Sequence, residues 1–171
     1  MVSNLTIGKK KYAAFEEDIK ACLIKLEVLR DKMLELIEED AKCFEPLASA
    51  YSLPSSTDEE KEEKEKVMAK ALITACSVPL ETMEKGAEIA DCLVELSEKG
   101  SVMAISDVAV GAEFVRTAVL VASMNVYINT KSMKDRAKAE EYNNYADKLI
   151  TETVIKTDMI FEKIKEALKC Q

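Results

Sequence analysis

Apolar residues recur from residue 15 to residue 50 at alternating steps of four and three, which is typical of a long amphipathic helix. Such steps return side chains to one helix face, whereas a strand repeats every second residue. We therefore predict one helix over residues 15–53. The members of its apolar seam are Phe15, Ile19, Cys22, Leu26, Leu29, Met33, Leu36, Cys43, Leu47 and Ala50, and Asp40 stands between Leu36 and Cys43.

Three further helical segments follow, at 56–97, 106–129 and 133–168. Ser56 or Thr57 would cap the second, with Glu59 or Glu60 completing a capping box. Only four glycines and three prolines interrupt 171 residues, so there is little room for hairpins. The sequence predicts one all-α domain over 1–171, an up-and-down bundle of four long, partly kinked helices. Pro46 and Pro79 are the expected kinks.

The composition excludes several classes of protein. The chain has no histidine, the commonest general base and metal ligand, so we expect no metal site. Its net charge of −8 argues against a nucleic-acid partner. The five cysteines are odd in number and show no metal-ligand spacing, which favours a reducing cytoplasm. No segment is long and apolar enough to predict a membrane helix or a signal peptide.

Asp40 is the clearest break in the apolar seam. A carboxylate between Leu36 and Cys43 would be desolvated, which raises the pKa of a carboxyl group unless a cation or hydrogen-bond donors hold it ionised. Such a group is a candidate general acid or base. A kink near Pro46 that turns Asp40 to the surface, or a polar residue that sets helix register, would explain the same pattern.

The third predicted helix, rich in small residues, is the one we expect to be most buried. Asn125 and Asn129 prolong its apolar face, and Asp107 lies on the same side near its start. Asp107 is either a site residue or a simple N-cap. The two asparagines are either ligand-binding groups or an amide pair that a neighbouring helix satisfies.

Lys9, Lys10 and Lys11 precede the first long helix, where positive charge opposes the helix dipole. Together with backbone N–H groups they would form a site for a carboxylate or phosphate. Lys131, which follows Asn129, would add to it. The alternative is a basic patch without a ligand.

The same segments resemble the formiminotransferase-cyclodeaminase C-terminal domain family, in order and over nearly the whole chain. The segments that carry the resemblance are Gly8-Lys9-Lys10-Lys11-Tyr12, Leu36-Ile37-Glu38-Glu39-Asp40-Ala41, Leu53-Pro54, Val78-Pro79-Leu80, Ser106-Asp107, and Asn125-Val126-Tyr127-Ile128-Asn129-Thr130-Lys131-Ser132. The resemblance implies an all-α homodimer that acts on the one-carbon unit of tetrahydrofolate, with no other cofactor.

Two activities follow from the resemblance. A cyclodeaminase closes 5-formiminotetrahydrofolate to 5,10-methenyltetrahydrofolate and releases ammonia, and this is the first expectation. A cyclohydrolase, the alternative, interconverts 5,10-methenyl- and 10-formyltetrahydrofolate. In this chemistry Asp40 would be the general acid or base and Asp107 a second carboxylate. Asn125 and Asn129 would bind the pterin or the one-carbon unit, and Lys9, Lys10, Lys11 and Lys131 the glutamate tail.

The start of the chain departs from the family pattern. The family carries a Gly-rich helical segment before the stretch that corresponds to Met1-Val2-Ser3-Asn4. From this we expect a chain truncated at its N-terminus, in which nothing before Leu5 covers the bundle. An inactive helical dimerisation module is therefore a third possibility.

Overall fold

The structure, a computed structural model, describes residues 1–170, and these are all-α. A short helix, α1 (Val2–Thr6), precedes four long ones: α2 (Glu16–Tyr51), α3 (Asp58–Lys99), α4 (Ile105–Ser132) and α5 (Arg136–Lys169). The predicted bundle of four long helices is confirmed. Its predicted bounds lie within a few residues of those observed, because caps and short turns mark the helix ends.

Side chains at the helix ends explain where the helices begin. Thr57 and Glu60 form the predicted capping box: Thr57 Oγ1 accepts from the Glu60 N–H at 3.2 Å, and the Glu60 carboxylate accepts from the Thr57 N–H at 3.1 Å. Asp135 caps α5 by accepting from the Lys138 N–H at 3.0 Å. The helices α2 and α3 continue through Pro46 and Pro79, so neither proline divides its helix.

The helix α3 lies at the centre of the bundle. It packs against α2, α4 and α5, and α4 also packs against α5. In the part of the chain that the structure describes, α2 makes no extensive contact with α4 or α5. One groove therefore lies between α2 and α4, and another between α2 and α5.

Close packing of α3 on α4 depends on Gly86. A Cβ atom at this position would lie 2.5 Å from Val119 Cγ2, so no larger residue fits without displacement. Val119 is fully buried in the larger of two apolar clusters, with Met83 and Val126. The smaller cluster, around Ile19 and Ile160, fills the other end of the bundle.

The start of the chain packs on the bundle, contrary to the sequence expectation. Val2, Ser3 and Thr6 of α1 are buried. Thr6 Oγ1 accepts a hydrogen bond from the Ser101 N–H at 2.8 Å, which ties α1 to the connection between α3 and α4. Residues 1–7 thus cover one end of the bundle because the turn of α1 contributes both apolar and hydroxyl groups.

The prediction that α4 is the most buried helix is wrong. Its inner face meets α3 and α5, but its outer face is apolar and exposed, and Phe114 is 73% accessible. We call this surface the α4 stripe; it consists of Val110, Phe114, Val121, Met124 and Ile128, of which Val121 also borders the groove between α2 and α4. No helix among the described residues is long and apolar enough to cross a membrane.

Candidate active-site groove between α2 and α4

The groove between α2 and α4 contains a cavity of about 770 Å³, with α3 as its floor. A volume of this size accommodates a drug-sized ligand. Most of the lining is apolar, and a few polar side chains interrupt it. Those polar side chains are Arg30, Asp40, Thr82 and Asn125.

Asp40 lies on the α2 wall of this cavity. It is exposed within the single chain, and it forms no ion pair with another described residue. The expectation that Asp40 is buried in the seam is therefore not met. The reason is that α3 is the only long helix on which α2 packs extensively in the described chain, so the side of its seam that carries Asp40 borders the open groove.

Asn125 lies on the opposite wall, on α4, and is also exposed. The structure thus brings Asp40 and Asn125 to one cavity. Asn129 is placed differently: its side-chain Nδ2 donates to the Ala75 carbonyl at 3.1 Å, which fastens α4 to α3. Lys131 is exposed in the last turn of α4, beyond the residues that line the cavity.

Asp107 lines a second, smaller cavity of about 390 Å³ that α1 closes at one end. Leu26 and Arg30 line both cavities, so the two are parts of one groove. Asp107 precedes Asn125 by eighteen residues of α4, which is about 27 Å of helix axis. Within one chain, Asp107 and Asn125 therefore cannot contact the same ligand atom.

Sequence reasoning missed Arg30. Its side chain lies where the two cavities meet, about 15 Å along α2 from Asp40. The guanidinium Nε and Nη2 donate to one oxygen of Asp31, at 2.9 Å and 2.7 Å, which leaves further N–H donors for an anionic ligand. Arginine is rare in this chain, with three residues, and its position beside the apolar seam was the available signal.

Lys9, Lys10 and Lys11 are exposed at the end of the bundle where α2 begins. None of them lines either cavity of the groove. Lys11 instead lies over the Tyr12 ring, with Nζ 5.4 Å from its centroid. Asp40 is about 36 Å along α2 from the start of that helix, so these lysines and Asp40 are at different ends of the groove.

Comparison with known proteins places the chain in a family. Residues 1–148 match the family model described as Formiminotransferase-cyclodeaminase. The chain is 39% identical over 165 residues to a methenyltetrahydrofolate cyclohydrolase from Methylorubrum extorquens, covering 96% of this chain and 79% of that protein. The chain therefore belongs to the formiminotransferase-cyclodeaminase family, and its relatives are enzymes of folate one-carbon metabolism.

Two further relatives are more distant in sequence. The rat formimidoyltransferase-cyclodeaminase is 25% identical over 165 residues, and the chain spans 30% of its length. The crystal structure of formiminotetrahydrofolate cyclodeaminase from Thermotoga maritima superposes with a TM-score of 0.77 at 26% identity. That comparison covers 99% of this chain and 78% of the other, and supports the all-α bundle.

Proposed function

We propose that this chain is a methenyltetrahydrofolate cyclohydrolase with its reaction centre between Asp40 and Asn125. The observation that carries the proposal is that these two polar residues, on separate helices, line one largely apolar cavity. The 39% identity to a cyclohydrolase supports this reaction over the cyclodeaminase that the resemblance suggests first.

The cyclohydrolase reaction needs one carboxylate near the cationic methenyl carbon of the substrate. Asp40 takes a proton from water as the water oxygen attacks the methenyl carbon of the substrate. It then gives that proton to N5 as the bond between N5 and the carbon breaks. The hydroxyl proton leaves to solvent as the formyl C=O forms, so the net products are 10-formyltetrahydrofolate and one proton. The Asp40 carboxylate also stabilises the cationic carbon before attack.

The remaining polar groups of the groove bind the rest of the substrate in this proposal. Asn125 hydrogen-bonds the pterin or the one-carbon unit. Arg30 binds a carboxylate of the glutamate tail, because a guanidinium matches carboxylate geometry and the distance from Asp40 leaves room for the intervening ring. Asp107 acts at the far end of the groove, as a binding or electrostatic group.

The other residues predicted to bind the substrate act less directly in this proposal. Lys9, Lys10 and Lys11 lie towards the Asp107 end and supply positive potential for the anionic tail. Asn129 holds the wall that carries Asn125 through its bond to Ala75. Lys131 supplies positive charge at the opposite end of the groove. The carrier tetrahydrofolate is the only cofactor that the proposal uses.

The second candidate is the cyclodeaminase reaction, favoured by the structural similarity to the Thermotoga maritima enzyme. Here N10 attacks the formimino carbon of 5-formiminotetrahydrofolate, and the departing nitrogen takes up two protons, one from N10 and one from the Asp40 carboxyl group. Ammonia leaves and 5,10-methenyltetrahydrofolate forms. The same residues serve both reactions, since both pass through an amidine-like cationic carbon.

We also propose that the chain is a cytoplasmic homodimer that pairs through the α4 stripe. The stripe residues repeat with helical spacing and carry no charge, so two copies of α4 can pack against each other. An exposed apolar patch of this kind marks an interaction surface. The free thiols of all five cysteines support the cytoplasmic location.

One experiment separates the candidate functions. The purified chain is incubated with 5,10-methenyltetrahydrofolate, while loss of the methenyl absorbance is followed, and separately with 5-formiminotetrahydrofolate, while ammonia is assayed. Faster loss of methenyl absorbance than in buffer supports the cyclohydrolase, and ammonia release supports the cyclodeaminase. Neither signal, together with no thermal stabilisation by a folate analogue, would leave a helical dimerisation module as the function.

A further inference from the structure

The groove between α2 and α5 contains a cavity of about 660 Å³ that the proposed folate chemistry does not use. Cys22 from α2 and Cys92 from α3 both line it. They are 7% and 5% accessible, so both are buried at the wall of this cavity. The other described cysteines, Cys43, Cys76 and Cys170, do not line it.

The Cys22 thiol lies directly against Cys92. Cys22 Sγ donates to the backbone carbonyl oxygen of Cys92 at 3.5 Å. The pair joins helices whose residues are seventy positions apart. A disulfide needs its two sulfurs adjacent, and this contact brings the Cys22 sulfur to the residue that carries the second sulfur.

Charged side chains surround the pair from all three helices. Most are matched in ion pairs, among them Lys99 with Asp18 at 2.8 Å and Lys156 with Asp91. Lys25 has a longer contact, 3.6 Å to Glu88. The charged residues that line the cavity are Asp18, Lys25, Asp91, Glu95, Lys99 and Lys156.

This environment favours one thiolate in the pair. Hydrogen bonding by the Cys22 thiol and the positive charge of Lys25 lower the pKa of Cys92, against the opposing effects of burial, Asp91 and Glu88. The same hydrogen bond and burial raise the pKa of Cys22, which therefore holds its proton. By contrast, burial alone raises the pKa of Cys76 to about 11. Cys76 is therefore a matched buried cysteine without activation.

We propose that Cys22 and Cys92 form a dithiol site that reacts with hydroperoxides and closes to a disulfide between α2 and α3. In the first step the Cys92 thiolate attacks the peroxide O–O bond, giving a sulfenic acid and hydroxide, or from an organic hydroperoxide an alkoxide that takes a proton from water. In the second step Cys22 attacks the Cys92 sulfur, the S–S bond forms and water leaves. The cysteines are oxidised by two electrons and the peroxide is reduced by two.

The disulfide would fix α2 on α3. The helix α2 also forms the wall of the other groove on which Asp40 lies. In the described chain, α3 is the only helix against which α2 packs extensively. A crosslink there limits the movement of α2 relative to α3. It also stabilises the folded chain by restricting the unfolded one, as expected for a closed loop of this length.

The test is peroxide oxidation of the whole purified chain, followed by alkylation under denaturing conditions, proteolysis and mass spectrometry. We expect a peptide pair joined between Cys22 and Cys92, reversed by dithiothreitol, with Cys76 still alkylated. The oxidised protein should melt several degrees higher than the reduced one. Peroxide treatment that leaves Cys22 and Cys92 alkylatable, or that joins only other cysteines, would overturn the proposal.

Two variants test which thiol attacks the peroxide and whether Cys76 takes part. In Cys22→Ser the second step is blocked, so Cys92 should accumulate as a sulfenic acid that dimedone traps. In Cys76→Ser, the matched control, the crosslink should form as in the unaltered chain. Absence of a dimedone adduct at Cys92 in folded Cys22→Ser would contradict the assigned attacking thiol. If Cys22→Ser does not fold, the peptide map of the unaltered chain still decides the proposal.

Discussion

Asp40 of α2 and Asn125 of α4 line one cavity, although their helices make no extensive contact with each other. Both residues are exposed, and α3 alone connects the two walls. The groove is therefore a consequence of how α2 packs, since it lies extensively against one of the other three long helices and not against all three. A ligand in the groove would supply contacts that α2 and α4 do not give each other.

Substitution of Arg30 should weaken substrate binding more than it slows chemistry. In Arg30→Gln the glutamate carboxylate loses a charged hydrogen-bond donor, a loss of about 1.5–3 kcal/mol, or roughly tenfold to a hundredfold in KM. We expect little change in kcat, because Arg30 lies about 15 Å along α2 from Asp40. Initial rates over a range of substrate concentrations measure both constants.

Lys42→Gln is the matched control for Arg30, because Lys42 is an exposed cation of the same helix that does not line the groove. Its KM should equal that of the unaltered chain. A fall in kcat for Arg30→Gln with KM unchanged would contradict the assigned binding role.

Gly86→Ala should destabilise the chain. The added Cβ would lie 2.5 Å from Val119 Cγ2 in the buried contact between α3 and α4. Overpacking of this kind costs about 1–3 kcal/mol in the free energy of unfolding, which urea titration measures. The second change Val119→Ala should recover part of the loss, because it removes the overlapping methyl group.

Gly111→Ala provides the comparison, since its Cβ would lie 3.5 Å from Leu93 Cδ2, an ordinary contact. Replacing glycine by alanine inside a helix stabilises it by about 0.5–1 kcal/mol. The account of the contact between α3 and α4 fails if Gly86→Ala and Gly111→Ala change stability equally.

A charged residue introduced into the α4 stripe should dissociate the proposed dimer. In Phe114→Glu a carboxylate replaces an exposed aromatic ring, so pairing of two copies would bury two unpaired charges. Light scattering coupled to size exclusion should show a dimer for the unaltered chain and a monomer for Phe114→Glu. Ile155→Glu, at an exposed apolar position on α5, should remain dimeric. A monomeric unaltered chain would disprove the interface.

Local signals in the sequence were sufficient for the helices. The four-and-three spacing from Phe15 predicted α2, and Thr57 with Glu60 predicted the start of α3, because helix periodicity and capping depend on neighbours in sequence. The resemblance was also correct at the level of the family. The sequence left open whether Asp40 is buried or at the surface, since a seam does not show which of its sides a partner helix covers.

Contacts between distant segments were the part that sequence patterns could not supply. Arg30 carries no periodic signal, and only the position of α1 and α4 shows that it joins two cavities. Asn129 continues the same helix face as Asn125, yet its amide is used by the Ala75 carbonyl. The contact of Cys22 with Cys92 depends on how α2 is aligned along α3.

The central claim is that Asp40 transfers the proton in the folate reaction. Asp40→Asn keeps the size of the side chain but cannot take a proton from water, so we expect kcat to fall by about 10²–10⁴-fold. Stability should change by no more than about 0.5 kcal/mol, because Asp40 is exposed and unpaired among the described residues. Glu38→Gln, an exposed carboxylate on the same helix that does not line the groove, is the control.

The most direct measurement is the rate at which methenyl absorbance is lost when each of these three proteins is given saturating 5,10-methenyltetrahydrofolate. We predict a rate for Asp40→Asn close to that in buffer, and a rate for Glu38→Gln equal to that of the unaltered chain. An unaltered rate in folded Asp40→Asn would contradict the account.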